Sequence, residues 1–169
     1  MPRVTGTAHP PVTDTAWQRR LIILAAAITA LALLHHLDHV VRGDLVLAYA
    51  LPAFWNHSGW PFQPRVTPFT ASLAIYLLLV PGIVFTLRGR LWAGYWLGTA
   101  VVLEAIIFVV HFLPGPRTET PRVIYSTYAR SIESAGAGIL ALVVVFAIVV
   151  LLLLLALQAI RVRRLSGRW

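Results

Sequence analysis

The chain has 169 residues, 59% of them hydrophobic and 12% charged, with a mean hydropathy of +0.79. Soluble domains carry about a quarter charged residues, so this composition excludes that class and directs the reading to segments long enough to cross a bilayer. The net charge of +8 comes from arginine without lysine, placed beside apolar runs and not along a stripe; this excludes nucleic acid as a partner and points to lipid headgroups.

The absence of cysteine removes disulfides, thiolate metal sites, iron–sulfur clusters and cysteine nucleophiles. Arginine, alanine, leucine and valine in abundance, with no lysine, suggest a GC-rich bacterial source.

Residues 1–16, with Pro2, Pro10, Pro11 and several threonines, have no apolar periodicity and read as a flexible cytoplasmic tail. The remainder, 17–165, reads as one transmembrane domain, with a basic end at 166–169. Its first span covers about 21–41. Arg19-Arg20 followed by Ala30-Leu31-Ala32 loosely fits a cleaved leader, but the apolar character continues to Val41, so the span is read as uncleaved.

An outer loop over 42–68 follows, holding Tyr49, Phe54, Trp55, Trp60 and Phe62 among prolines and glycines. Aromatic rings of this kind favour the headgroup level, so the loop is expected to lie along the outer interface, with a short helix over 44–51 and His57 as a lid residue. The second span covers 69–87, where Pro81-Gly82 predicts a kink. Arg88 and Arg90 occupy a tight turn before the third span, 91–113, whose Gly94 and Gly98 permit close helix approach. A second outer loop, 114–132, carries Tyr125 and Tyr128 and leads through Glu133 into the fourth span, 135–160.

Four spans predict an all-α integral membrane four-helix bundle. Arg3, Arg19, Arg20, Arg88, Arg90, Arg161, Arg163, Arg164 and Arg168 fall on one side. Arg42, Arg65, Arg117, Arg122 and Arg130 fall on the other, dispersed over longer loops. The positive-inside rule then puts both termini in the cytoplasm of a multi-pass cell-membrane protein.

Ionisable residues inside a span are costly and face the bundle interior. Here His35, Asp38, His39 and Arg42 recur at i, i+3, i+4 and i+7, on one face of the first helix, while His36 points about 100° away. Glu104 and His111 share a face of the third helix. At 1.5 Å per residue, His35 and Glu104 both lie about 20 Å from the cytoplasmic edge, and His39 and His111 lie near the outer interface, where Glu133 also enters.

Two histidines four apart can share an ion, and a third histidine with a carboxylate would complete a site for Zn, Cu or Fe. His35, His39, His111 and Glu104 are therefore the candidate metal ligands, with Asp38, Glu133 and Arg42 as supporting or cofactor-binding groups. A histidine from each of two helices could instead hold a haem iron axially.

Three functions are consistent with these residues: a transition-metal or haem protein for redox or metal handling; a metal-free enzyme acting on a lipid-like substrate, with Glu104 and a histidine exchanging protons; and a non-catalytic subunit or assembly factor. The bilayer is the partner expected throughout, with a protein partner or a homo-oligomer compatible with the last. No serine–histidine–acid order, phosphate loop, dinucleotide fingerprint or HExxH appears.

Overall fold

The computed structural model describes residues 15–41, 72–90, 93–114, 120–128 and 135–166, and these residues form helices joined by turns, with no strand among them. In chain order the helices are α1 (Thr15–Val41), α2 (Ile75–Leu87), α3 (Ala93–His111), α4 (Pro121–Tyr128) and α5 (Ala135–Ser166). The loop over 42–68, including His57, the proposed helix over 44–51, Arg42 and Glu133 all lie outside the described residues.

Three helices are long and apolar enough to cross a membrane: Ala16–His39 with 24 residues, Ala93–His111 with 19, and Ala135–Arg164 with 30. Their rise of 1.5 Å per residue gives roughly 28 Å or more in each case, against a hydrocarbon core of about 30 Å. Described over 13 residues, α2 is apolar but shorter, roughly 20 Å. The expected boundaries of the second span begin at Phe69, outside the described residues.

Helix α5 is the centre of the assembly, packing along both α1 and α3; α2 lies against α1 and, less extensively, α3. Buried hydrophobic residues on α5 are Ala141, Val145, Ile148, Leu152, Leu155 and Ala159, stepping by fours and threes. The buried residues Leu21, Ala25, Ile28 and Ala32 of α1 step in the same way. This spacing is the seam of a left-handed helix pair. Ala25 and Ala159 are fully buried within one core, where small side chains let backbones approach closely.

The opposite faces are as apolar as the seams. Leu33, Leu37, Leu77, Val101, Phe108, Leu140 and Val143 are all exposed. A helix apolar on every side suits a lipid surround. Such faces explain why a search for a polar stripe finds none.

At one end of the assembly, α1 begins, α2 ends and α5 ends. The Gln18 side-chain amide donates to the Thr86 carbonyl. The guanidinium groups of Arg20 and Arg161 each stand 4.9 Å from the Trp17 ring, tying α1 to α5. The turn at Arg88–Arg90 brings the chain back at this end, with Gly89 taking a positive φ of 65°.

Above that turn, α2 and α3 interlock. The Trp96 indole N–H donates to Thr86 Oγ1 at 2.8 Å, and the Thr86 hydroxyl donates to the Gly82 carbonyl at 2.7 Å. Tyr95 donates to the Leu78 carbonyl at 2.6 Å, within the turn where Pro81 disrupts the backbone ladder. A Cβ at position 82 would meet Trp96 and Tyr95 atoms at 2.8 Å, so Gly82 is needed for this contact.

The segment after α3 differs from expectation. Within 114–132, read as loop, the chain forms α4, an eight-residue helix. Thr120 begins it, its hydroxyl accepting from the Val123 N–H, and Pro121 occupies the first turn, where no N–H is needed. Ile124 is fully buried against Ala141 and Val145 of α5, while Arg122, Val123 and Tyr125 are exposed. One inward isoleucine per two turns is too sparse a pattern to separate a short docked helix from a loop.

Candidate functional site

The seam of α1 does not stop at Ala32. His35 and His39 continue its steps of three and four, so the packing that buries Ala25 and Ile28 also turns these imidazoles inward. His39 is 2% exposed and His111, the last residue of α3, is 4% exposed. The Nε2 atoms of His35 and His39 are 3.2 Å apart, with ring centroids at 4.6 Å. Across the helix interface, the His35 and His111 centroids are 5.1 Å apart. The imidazoles of the two helices thus share one neighbourhood.

These three rings line one end of a partly open cavity of about 340 Å³ bordered by α1, α2, α3 and α5. Its remaining wall is largely apolar: Ile28 and Ala32 from α1, Ile75 and Leu78 from α2, Leu103, Ile106, Ile107 and Val110 from α3, and Ile148 and Leu152 from α5. The volume falls within the range of roughly 300–1,000 Å³ typical of small-molecule sites. Polar groups stand at one end only.

His36, set aside by the helical-wheel argument, also lines this cavity and is 7% exposed. Its ring faces α2. Nδ1 lies 2.7 Å from the Ala32 carbonyl and 3.0 Å from the Tyr76 hydroxyl, and Nε2 lies 2.8 Å from Ser72 Oγ. A carbonyl only accepts, so in the neutral ring Nδ1 carries the proton and Nε2 accepts from the Ser72 hydroxyl. His36, Ser72 and Tyr76 are the residues the sequence reading missed. A histidine 40 positions from its partner leaves no spacing signal.

Glu104 stands differently. It lies on the same stretch of α3 but is half-buried and is not among the residues lining the cavity, since the inward positions are Leu103, Ile107 and His111. Its Oε2 is buried with no hydrogen-bond partner among the described residues. Asp38 is half-buried on α1, beside the histidines. Among the described residues, no group of three or more histidine, aspartate or glutamate side chains is arranged to hold a metal ion.

The arrangement can therefore do two things chemically. It can accommodate an apolar molecule along the cavity, and it can present imidazole nitrogens and hydroxyls to whatever polar group that molecule carries. Compared with known proteins, the chain matches no family model, no curated protein and no solved structure.

Proposed function

We propose that this is a multi-pass membrane protein in which α1, α2, α3 and α5 cross the bilayer as a four-helix bundle with cytoplasmic termini. Its cavity holds a lipid-like molecule whose polar end meets the imidazoles for acid–base chemistry. Two features support the topology. Arg19, Arg20, Arg88, Arg90, Arg161, Arg163 and Arg164 gather toward the end where Trp17 meets Arg161. Helix α2 reaches from its Thr86 contact with Gln18 at that end to the Tyr76 contact with His36 at the other.

The single observation that carries the functional reading is the cavity itself, apolar along its length and imidazole-lined at one end. A network serving only to satisfy buried polar groups would close around them. Proton handling falls to the imidazoles in this reading, because Glu104 stands off the cavity wall.

The test uses detergent-purified protein and a fluorescent medium-chain acyl probe followed by polarisation. Saturable binding is expected, reduced at least tenfold by Leu152→Trp, which fills the wall, and by Leu103→Phe, with thermal melting unchanged. Absence of saturable binding, or equal binding by both folded variants, overturns the reading.

A second reading has its own observation. Two nitrogens bound to one tetrahedral ion at 2.0–2.1 Å stand about 3.3 Å apart, close to the 3.2 Å between His35 and His39 Nε2. His111, whose ring centroid lies 5.1 Å from that of His35, would supply a third nitrogen, making a Zn, Cu or Fe centre. Elemental analysis after purification is expected to give one metal per chain, lost in His39→Ala; a Soret band would mark haem instead. Metal below a tenth of an equivalent, with no Soret band, overturns it.

A further inference from the structure

The structure places a serine hydroxyl, an imidazole base and a group that orients the base in a line opening onto the cavity. We propose that Ser72 is a nucleophile activated by His36, and that the molecule held in the cavity is an acyl lipid carrying an ester carbonyl. The proposal rests on the cavity reading above and names its substrate class and chemistry.

Nucleophilic serines are recognised by geometry: a hydroxyl within hydrogen-bond reach of a base, and a base held in one tautomer by a third group. Ser72 Oγ lies 2.8 Å from His36 Nε2. The Ala32 carbonyl, 2.7 Å from Nδ1, holds the ring proton on the far side, and Tyr76 Oη flanks the same nitrogen at 3.0 Å. The tautomer that makes Nε2 basic toward Ser72 is thus imposed by the backbone of α1 itself. A neutral carbonyl in place of a carboxylate orients the ring but stabilises an imidazolium less, so slow turnover is expected.

The competing explanation is that Ser72 and His36 pair only to join α1 and α2, as small polar residues commonly do between membrane helices. Their placement argues against it. Both line the cavity, at the end where His35, His39 and His111 also stand and beside a wall of isoleucine, leucine, valine and alanine. Helix α2 begins at Ile75, just beyond Ser72, so the positive end of its dipole faces the region where negative charge would develop.

The balanced sequence is as follows. Ser72 Oγ bonds to the ester carbonyl carbon while its proton passes to His36 Nε2. The tetrahedral adduct collapses, the ester C–O bond breaks, and the proton leaves on the departing alcohol, giving an acyl-serine. Water then adds to the acyl carbon with His36 taking its proton; the Ser72 C–O bond breaks, the fatty acid departs, and the proton returns to Oγ. No oxidant or metal enters this sequence.

The test treats detergent-purified full-length protein with a fluorophosphonate bearing a medium alkyl chain, read by intact mass and by tandem mass spectrometry. One adduct per chain on Ser72 is expected, absent in Ser72→Ala. In His36→Gln the labelling rate should fall at least tenfold and lose the rise with pH expected of the native protein. Two results overturn the proposal: no adduct on protein that still binds the fluorescent acyl probe, or Ser72 labelling at an unchanged rate in folded His36→Gln. The first leaves the cavity reading standing, whereas loss of acyl-probe binding by the native protein removes both. Ser72→Ala, which deletes one oxygen, keeps the test informative if His36→Gln does not fold.

Discussion

Nε2 of His39 lies 3.2 Å from Nε2 of His35, one turn earlier on the same helix, and both rings sit on the seam that buries Ala25 and Ile28 lower down. A seam position in a membrane helix accepts apolar side chains at little cost. Two adjacent seam positions given to imidazole are therefore better explained by a task than by packing.

That explanation can be checked by removing both rings. His35→Leu with His39→Leu keeps the volume and the apolar seam, so thermal stability in detergent should stay within about 1 kcal/mol of the native protein, since exchanging both partners of a buried polar contact for packed apolar groups is nearly neutral. A loss beyond roughly 3 kcal/mol, the scale of a broken buried network, would make the two histidines scaffold residues.

Gly82 should tolerate nothing larger. A methyl there would stand 2.8 Å from Trp96 and Tyr95, and Trp96 is fully buried with no slack to yield. Gly82→Ala should cost about 1–3 kcal/mol by overpacking, read as a lowered melting temperature. Unchanged melting would mean that α2 and α3 do not meet at this residue.

Thr86 is the polar counterpart of that contact. Thr86→Val preserves shape but removes the acceptor for the Trp96 indole N–H. Stranding that donor should cost about 1–3 kcal/mol, and Thr86→Ser should restore most of it. Equal stability of the valine and serine variants would contradict the hydrogen bond.

Helix α4 hangs on one side chain. Ile124 is its buried residue, seated on Ala141 and Val145. Ile124→Asp should release it, so that amide exchange accelerates across 121–128 while the middle of α5 stays protected, as expected for a locally opening segment. Protection that persists over 121–128 would assign the docking to other residues.

How much of this could be read along the chain differs by residue. Counting 1.5 Å per residue from the arginine-flanked ends levels His39 with His111, and the ring of His35, one turn earlier on α1, meets that of His111. The same count levels Glu104 with His35, yet Glu104 stands one position off the inward line of Leu103 and Ile107. Depth is only one of the two coordinates of a residue on a helix. His36 shows the converse: its rotation away from His35 was correctly deduced, but what waits on that side is Ser72 and Tyr76 of another helix.

By itself, the sequence determined the membrane class, the lengths of the long apolar helices, the arginine-rich end and the layer of histidines. These are local properties, set by the count and spacing of residues along one helix. Tertiary structure alone decided the cavity, the Ser72–His36 pair, the Trp96–Thr86 lock and the docking of α4. Each of these depends on how far one helix slides and turns against another, and that is settled by the fit of whole surfaces such as Ala25, Ala159 and Gly82, not by any single run of residues.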